Sequence, residues 1–214
     1  MEVRNPIIGA DMPDPDLLRV GDTYYMSSTT MYYAPGVPIM KSKDLVNWEI
    51  CNYVYETLTD NDKMNLSNSQ GDLANQNGNA YSKGSWASSL RYFDGMFYCG
   101  FASYTTGKTY IYRTDDIENG IWKKSEIDGV YHDMSLYFDE ETKKGYMVYG
   151  GTPINIIELN EDYTDVVKGT EQVLVDKLWP ELDYNPLGEG AHIQKIDGKY
   201  YLFLITWPPE LTTE

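Results

Sequence analysis

Three carboxylates occupy related places in the chain: Asp14 in MPDPDLL, Asp133 in HDMSLYF and Glu189 in GEGAHI. Each lies just ahead of a short apolar segment. Aligning these segments, and a fourth, on Leu17, Leu90, Leu136 and Ile193 places Asp14, Ala87, Asp133 and Gly190 three residues earlier, with Trp86 and Glu189 one step further back. Two aspartates, a glutamate and a tryptophan at equivalent positions suit cleavage of a glycosidic bond. One acid protonates the leaving oxygen, one carboxylate activates water or attacks carbon, and an indole face holds a sugar ring. Aspartates ahead of strands also cap turns, and on residue types alone both readings stay open. Local sequence favours the chemical one at Asp14, because the rings of Pro13 and Pro15 fix their own φ and stiffen the backbone around it. A residue before proline is pushed toward extended conformations, which is the expectation for Asp14. Asp11 and Asp16 are its competitors: at a side-chain period of two, Asp16 shares its face but lies deeper along the strand, while Asp11 precedes the rigid segment.

The elements that must position these groups repeat along the chain. DPDLLRVGDTYYMSSTT from Asp14, ASSLRYFDGMFYCGFAS from Ala87, DMSLYFDEETKKGYMVYGG from Asp133 and GAHIQKIDGKYYLFLIT from Gly190 each read as two strands around a Gly or Asp-Gly turn. Three of them are followed by a third strand and an outer edge: VPIMKSKDLVNWEI from Val37, KTYIYRTDDIENGIWKKSEI from Lys108 and TPINIIELNEDYTDVVKG from Thr152. The turn glycines Gly95, Gly145 and Gly198 recur at about 50 residues, the spacing of four-stranded propeller blades. The segment from Thr57 to Lys83, crowded with Asn, Gly, Ser and Asp, reads as a long surface loop between the first two blades. No amphipathic helix emerges, so the class is all-β. A sandwich would also give many short strands, but the repeat favours a radial propeller, in which the first strand of every blade is innermost and all the strand starts gather at one mouth of a central channel.

Composition narrows the function classes. With 214 residues the chain fits one domain, 1–214, with a full hydrophobic core. The net charge of -16 repels phosphate backbones and anionic lipid, which argues against nucleic acid and membrane partners and for a neutral substrate. Twenty tyrosines either fill half-buried strands or offer sugars an apolar face with a polar edge. Cys51 and Cys99 sit among large hydrophobic residues and read as free thiols. The N-terminal segment has no apolar run long enough for a signal peptide, so a cytoplasmic location is expected, with secretion open if a leader was removed.

In order, NPIIGADMPDPDLLRVGDTYYM, GVPIMKSKDLVNWE, GSWASSLRY, HDMSLYFDE and GEGAHIQKIDGKYYLF resemble the blade signatures of glycoside hydrolase family 43, over about Asn5 to Pro208. The resemblance implies a five-bladed β-propeller and an inverting, exo-acting enzyme, a β-xylosidase, an α-L-arabinofuranosidase or both, releasing terminal xylose or arabinofuranose from hemicellulose fragments. It implies Asp14 as general base, Glu189 as general acid, and Asp133 as the pKa modulator that orients the acid and keeps it protonated. An inverting enzyme needs a water between base and acid, and so carboxyl groups roughly 6.5–9.5 Å apart. Trp86 matches a tryptophan of the sugar pocket, Ala87 stands beside it, and Tyr32 and Tyr33 match a segment bordering the entrance. His192, in the acid motif, is expected to hydrogen-bond near the core rather than hold a metal. No cofactor is required for catalysis, and the family leaves room for a structural central cation such as calcium. Where the chain departs from the family, only four repeats are found, and the fourth has only its first two strands. The chain is therefore expected to be truncated within the fourth blade, with the rest of that propeller in another segment. A non-catalytic carbohydrate-binding propeller is the alternative reading.

Overall fold

A computed structural model describes residues 3–60, 64, 83–183 and 186–206. These residues form strands and no helix; in particular, none contains a helix long and apolar enough to cross a membrane. The first sheet is β1 (Asp16–Val20), β2 (Thr23–Ser27), β3 (Gly36–Ser42) and β4 (Glu49–Tyr55). The second is β5 (Ser88–Phe93), β6 (Met96–Ser103), β7 (Lys108–Thr114) and β8 (Lys123–Asp128). The third is β9 (Ser135–Phe138), β10 (Gly145–Tyr149), β11 (Ile154–Glu158) and β12 (Gln172–Val175), and the fourth pairs β13 (Gly188–Ile196) with β14 (Lys199–Thr206). Each sheet is an antiparallel meander in chain order. All four hairpins expected from the repeat are present, and so are the outer strands, except that the outer edge of the third sheet, β12, begins at Gln172, beyond the expected segment that ends at Gly169. Most of the segment between Thr57 and Lys83, expected as a loop, lies outside the described residues.

Turn chemistry accounts for the hairpin registers. Phe93 pairs with Met96 across Asp94 and Gly95 (φ 50° and 81°), and Ile196 pairs with Lys199 across Asp197 and Gly198 (φ 49° and 75°). Two consecutive positive φ values give the tight turn whose twist matches that of the flanking strands, and Asp-Gly adopts it at low cost. The hairpins then stack face to face. Tyr25, Ile39 and Val54 of the first sheet pack against Leu90, Phe101 and Tyr112 of the second. Tyr98, Ile111 and Ile127 of the second meet Leu136, Met147 and Ile157 of the third. The contact between the third and fourth sheets is thinner, with Val148, Ile154 and Ala191 fully buried. Many tyrosines thus serve as core residues: Tyr25, Tyr55, Tyr98, Tyr110 and Tyr112 are all buried. Both cysteines are free thiols, Cys99 buried and Cys51 half-buried. On the far side of the fourth sheet, Tyr201, Phe203 and Ile205 are exposed, as is Leu17 of β1.

The innermost strands meet at one side chain. Arg91 of β5 donates through Nε to the Leu136 carbonyl (2.8 Å) and through Nη1 to Asp16 Oδ2 (2.6 Å) and the Leu90 carbonyl (2.7 Å). Its Nη2 lies 2.8 Å from Nδ1 of His192. A guanidinium only donates, so His192 accepts at Nδ1 and the ring is neutral. Burial pushes the His192 imidazole below its ordinary range and Arg91 adds to this, against the pull of Asp16. One planar cation therefore ties β1, β5, β9 and β13 together. Asp16 also accepts from the Leu90 N–H (2.8 Å), which sets it apart from Asp14 as a structural carboxylate.

The side chains of Arg91 and Asp16 are 16% and 11% exposed, so removing one strands the other in a poorly solvated site. Arg91→Ala is expected to lower unfolding stability by about 3–5 kcal/mol. Asp22→Asn, which breaks the exposed Lys43–Asp22 pair, is expected to leave it nearly unchanged. Urea unfolding of the two variants checks the contrast.

Candidate active site

The three carboxylates project from the leading ends of the innermost strands. Asp14 and Asp133 lie two residues ahead of β1 and β9, and Glu189 is the second residue of β13, where the pairing with β14 shifts register between Glu189 and His192. Asp14 and Asp133 have φ values of 48° and 45°, and Gly190, their equivalent in the repeat, has 64°. The expectation that Asp14 is extended is therefore corrected. Its backbone is left-handed, a conformation aspartate tolerates better than most residues. What overrides the local preference set by Pro15 is tertiary: Thr29 donates its backbone N–H (3.1 Å), and Ser28 its hydroxyl (2.6 Å), to the Pro13 carbonyl, while Thr29 Oγ1 donates to Asp14 Oδ2 (2.7 Å). The kink turns the carboxylate out of the strand, and a buried hydroxyl holds it.

Asp133 and Glu189 come together with His132, the residue before Asp133. His132 Nε2 lies 2.9 Å from Glu189 Oε2, and its Nδ1 is 2.8 Å from the Tyr104 hydroxyl. Donor atoms of His132, Asp133 and Glu189 all lie within 4.8 Å of one another. The hydrogen bond to Glu189 accounts for that grouping, and no metal is assigned to it. Burial raises the Asp133 carboxyl above its ordinary range. His132 opposes the shift, the negative charges of Glu189 and Asp14 add to it, and the Gly190 N–H lowers it. Asp133 is thus a carboxyl whose proton is favoured by its surroundings, as expected among like charges in a half-buried site. Tyr104 is raised as well, by burial and then by Asp133 and Glu189.

Aromatic side chains wall the carboxylates. Trp86 meets Tyr104 edge to face with ring centres 5.0 Å apart, and its backbone N–H donates to the Ala102 carbonyl, which fixes the segment leading through Ala87 into β5. On the other side, Asp14, Asp11, Thr29, Tyr32 and Tyr33 line a cleft of about 240 Å³, where Tyr32 and Tyr33 are 56% and 48% exposed. Both tyrosines thus border Asp14. His192 does not join this group: it sits in the axis against Arg91, whose positive charge opposes a cation there. Thr29, Tyr104 and Arg91 were not singled out in the sequence, although the Thr-Thr of the loop after β2 and the Arg of β5 are both in view there.

Comparison with known proteins identifies the family. The model of the family described as Glycosyl hydrolases family 43 matches residues 3–206. A beta-xylosidase of Formosa agariphila is 33% identical over 216 residues, covering 95% of this chain and 34% of the relative. A xylosidase/arabinosidase of Butyrivibrio fibrisolvens is 30% identical over 218 residues, 92% of this chain and 37% of the relative. Among solved structures, a bifunctional GH43-CE protein of Bacteroides eggerthii superposes with a TM-score of 0.86 at 48% identity, covering 97% of this chain and 26% of that one. The chain spans about a third of the length of these curated relatives.

The raised Asp133 carboxyl has a consequence for stability. Its protonated form is favoured on folding, so its contribution is fully present below the unfolded value of 3.8 and is lost as pH rises through the folded value. Asp133→Asn is expected to raise the melting temperature at pH 7 by a few degrees, with the gain shrinking toward acid pH. Thermal melts of both proteins across that range check the sign.

Proposed function

The chain belongs to glycosyl hydrolase family 43, and on that premise we propose that it is the catalytic part of an inverting, exo-acting glycosidase. It releases terminal xylose or arabinofuranose from xylan, arabinoxylan or arabinan fragments. The observation that carries this reading is the gathering of Asp133 and Glu189 at the ends of neighbouring innermost strands, with Asp14 held by Thr29 at the start of another. Asp14 takes a proton from a water lying between it and the sugar. That water attacks the anomeric carbon as Glu189 gives its proton to the leaving oxygen. Asp133, itself inclined to hold a proton, adds negative charge beside Glu189 when ionised and so favours the protonated acid.

Trp86, backed by Tyr104, provides a face for the pentose ring, and Tyr32 and Tyr33 border the way in. The relatives are named for xylosidase and arabinosidase activity, which supports a pentose in the site. A non-catalytic sugar-binding role is less well supported, because binding alone does not call for like charges packed where they favour the protonated form of Asp133. We further propose that the propeller has five blades and that strands outside this chain cover the exposed Tyr201, Phe203 and Ile205.

Asp14→Ala and Glu189→Ala are each expected to lower kcat by about 10²–10⁴-fold with unchanged circular dichroism. Assays on xylo- and arabino-disaccharides measure this, because their leaving groups need the proton that a p-nitrophenyl group does not. Turnover at the parent rate in either variant would refute that residue's role.

A further inference from the structure

The acid of the proposed reaction does not stand alone. Its Oε2 is 2.9 Å from Nε2 of His132, and that ring is fixed at its other nitrogen, 2.8 Å from the Tyr104 hydroxyl. Tyr104 is in turn packed against Trp86 and, more loosely, against the imidazole itself, with ring centres 6.0 Å apart. Glu189 lies in β13 and His132 in the turn ahead of β9, 57 residues apart in sequence, so the contact is a product of the fold rather than of local chain geometry. The imidazole is 29% exposed and can exchange protons with water, whereas the Glu189 side chain, at 21%, is the more enclosed. The charged groups facing the pair are Asp133, whose Oδ1 is 3.9 Å from His132 Nδ1, and beyond it Asp14.

An inverting turnover leaves the acid ionised and the base protonated. Before the next cycle, Asp14 must lose a proton to solvent and Glu189 must gain one. We propose that His132 is the positioning residue for the general acid: it holds the Glu189 carboxyl in place and shares with it the proton that resets the site. The inference rests on Glu189 being the acid. The proton lies between His132 Nε2 and Glu189 Oε2, while the second ring proton stays on Nδ1 and is donated to the Tyr104 oxygen. When the imidazolium passes its Nε2 proton to the carboxylate, it becomes the neutral ring with its hydrogen on Nδ1. Water then returns a proton to Nε2 once Glu189–H has been spent on the leaving group. Tyr104 is what makes this tautomer the resting one.

Two measurements decide the matter, and they fail separately. The chain has two histidines, so ¹⁵N-histidine spectra are readily assigned with a His192→Gln control. The neutral His132 ring is expected to carry its hydrogen on Nδ1, and Tyr104→Phe to erase that preference. A neutral ring with its hydrogen on Nε2 would overturn the proposal whether or not the protein is active. The second measurement is kinetic. His132→Gln keeps a donor near the position of Nε2 but cannot share a proton. It is expected to lower kcat on a xylo- or arabino-disaccharide by about 10²-fold, with KM little changed. On the p-nitrophenyl glycoside of the same sugar, whose leaving group needs little protonation, the loss is expected to be under about tenfold. An equal loss on both substrates, or none on the disaccharide, contradicts the role. If Glu189→Ala leaves disaccharide turnover intact, it is the assignment of the acid that fails, and the proposal falls with it.

Discussion

A single half-buried guanidinium sets the geometry on which everything else depends. Arg91 touches β1, β9 and β13 from β5, and because it can only donate, every partner it has must be an acceptor turned toward the axis. The Asp16 carboxylate, the Leu136 carbonyl and a neutral His192 meet that requirement. The catalytic carboxylates ride a few residues from these contacts, Asp14 two residues before Asp16 and Glu189 three before His192. Any slippage among the innermost strands would move the acid relative to the base. Hydrophobic packing between sheets is strong but tolerant of small shifts, whereas a planar fork with fixed hydrogen-bond directions is not.

The site itself runs against folding stability. Three carboxylates are gathered there, burial and the charges of Glu189 and Asp14 favour the protonated form of Asp133, and all three sit at left-handed or register-shifted backbone. Such features survive where surrounding structure over-determines them. Here the over-determination is visible: Thr29 and Ser28 hold the Asp14 turn, the Gly190 N–H meets Asp133, and His132 steadies Glu189. Gly190 takes the same left-handed position as Asp14 and Asp133 without a side chain, which hands the functional carboxylate of that repeat to the residue before it.

Much of this was legible in the residues. Asp-Gly turns and alternating strands give hairpins from local chemistry alone, and the repeat aligns the carboxylates before any contact is known. What was hidden depends on long-range partners. Arg91 reads as an ordinary charged strand residue until Asp16 and His192 are brought to it. His132 looks like an accessory to its neighbour Asp133, while its significant partner is on another strand. At Asp14 the rule for residues before proline points to an extended backbone, and hydrogen bonds from the loop after β2 outweigh it. Tyrosine has two uses, core filling in Tyr110 and Tyr112 and lining the site in Tyr32 and Tyr104, which composition cannot separate.

The stereochemistry of the product tests the central claim most directly. If water attacks from the Asp14 side while Glu189 protonates the opposite face, proton NMR in the first minutes of hydrolysis of an aryl pentoside will show the sugar in the anomeric configuration opposite to that of the substrate. Release of the same configuration would mean that Asp14 attacks carbon directly, with the two carboxyl groups only about 5 Å apart, and would contradict the account.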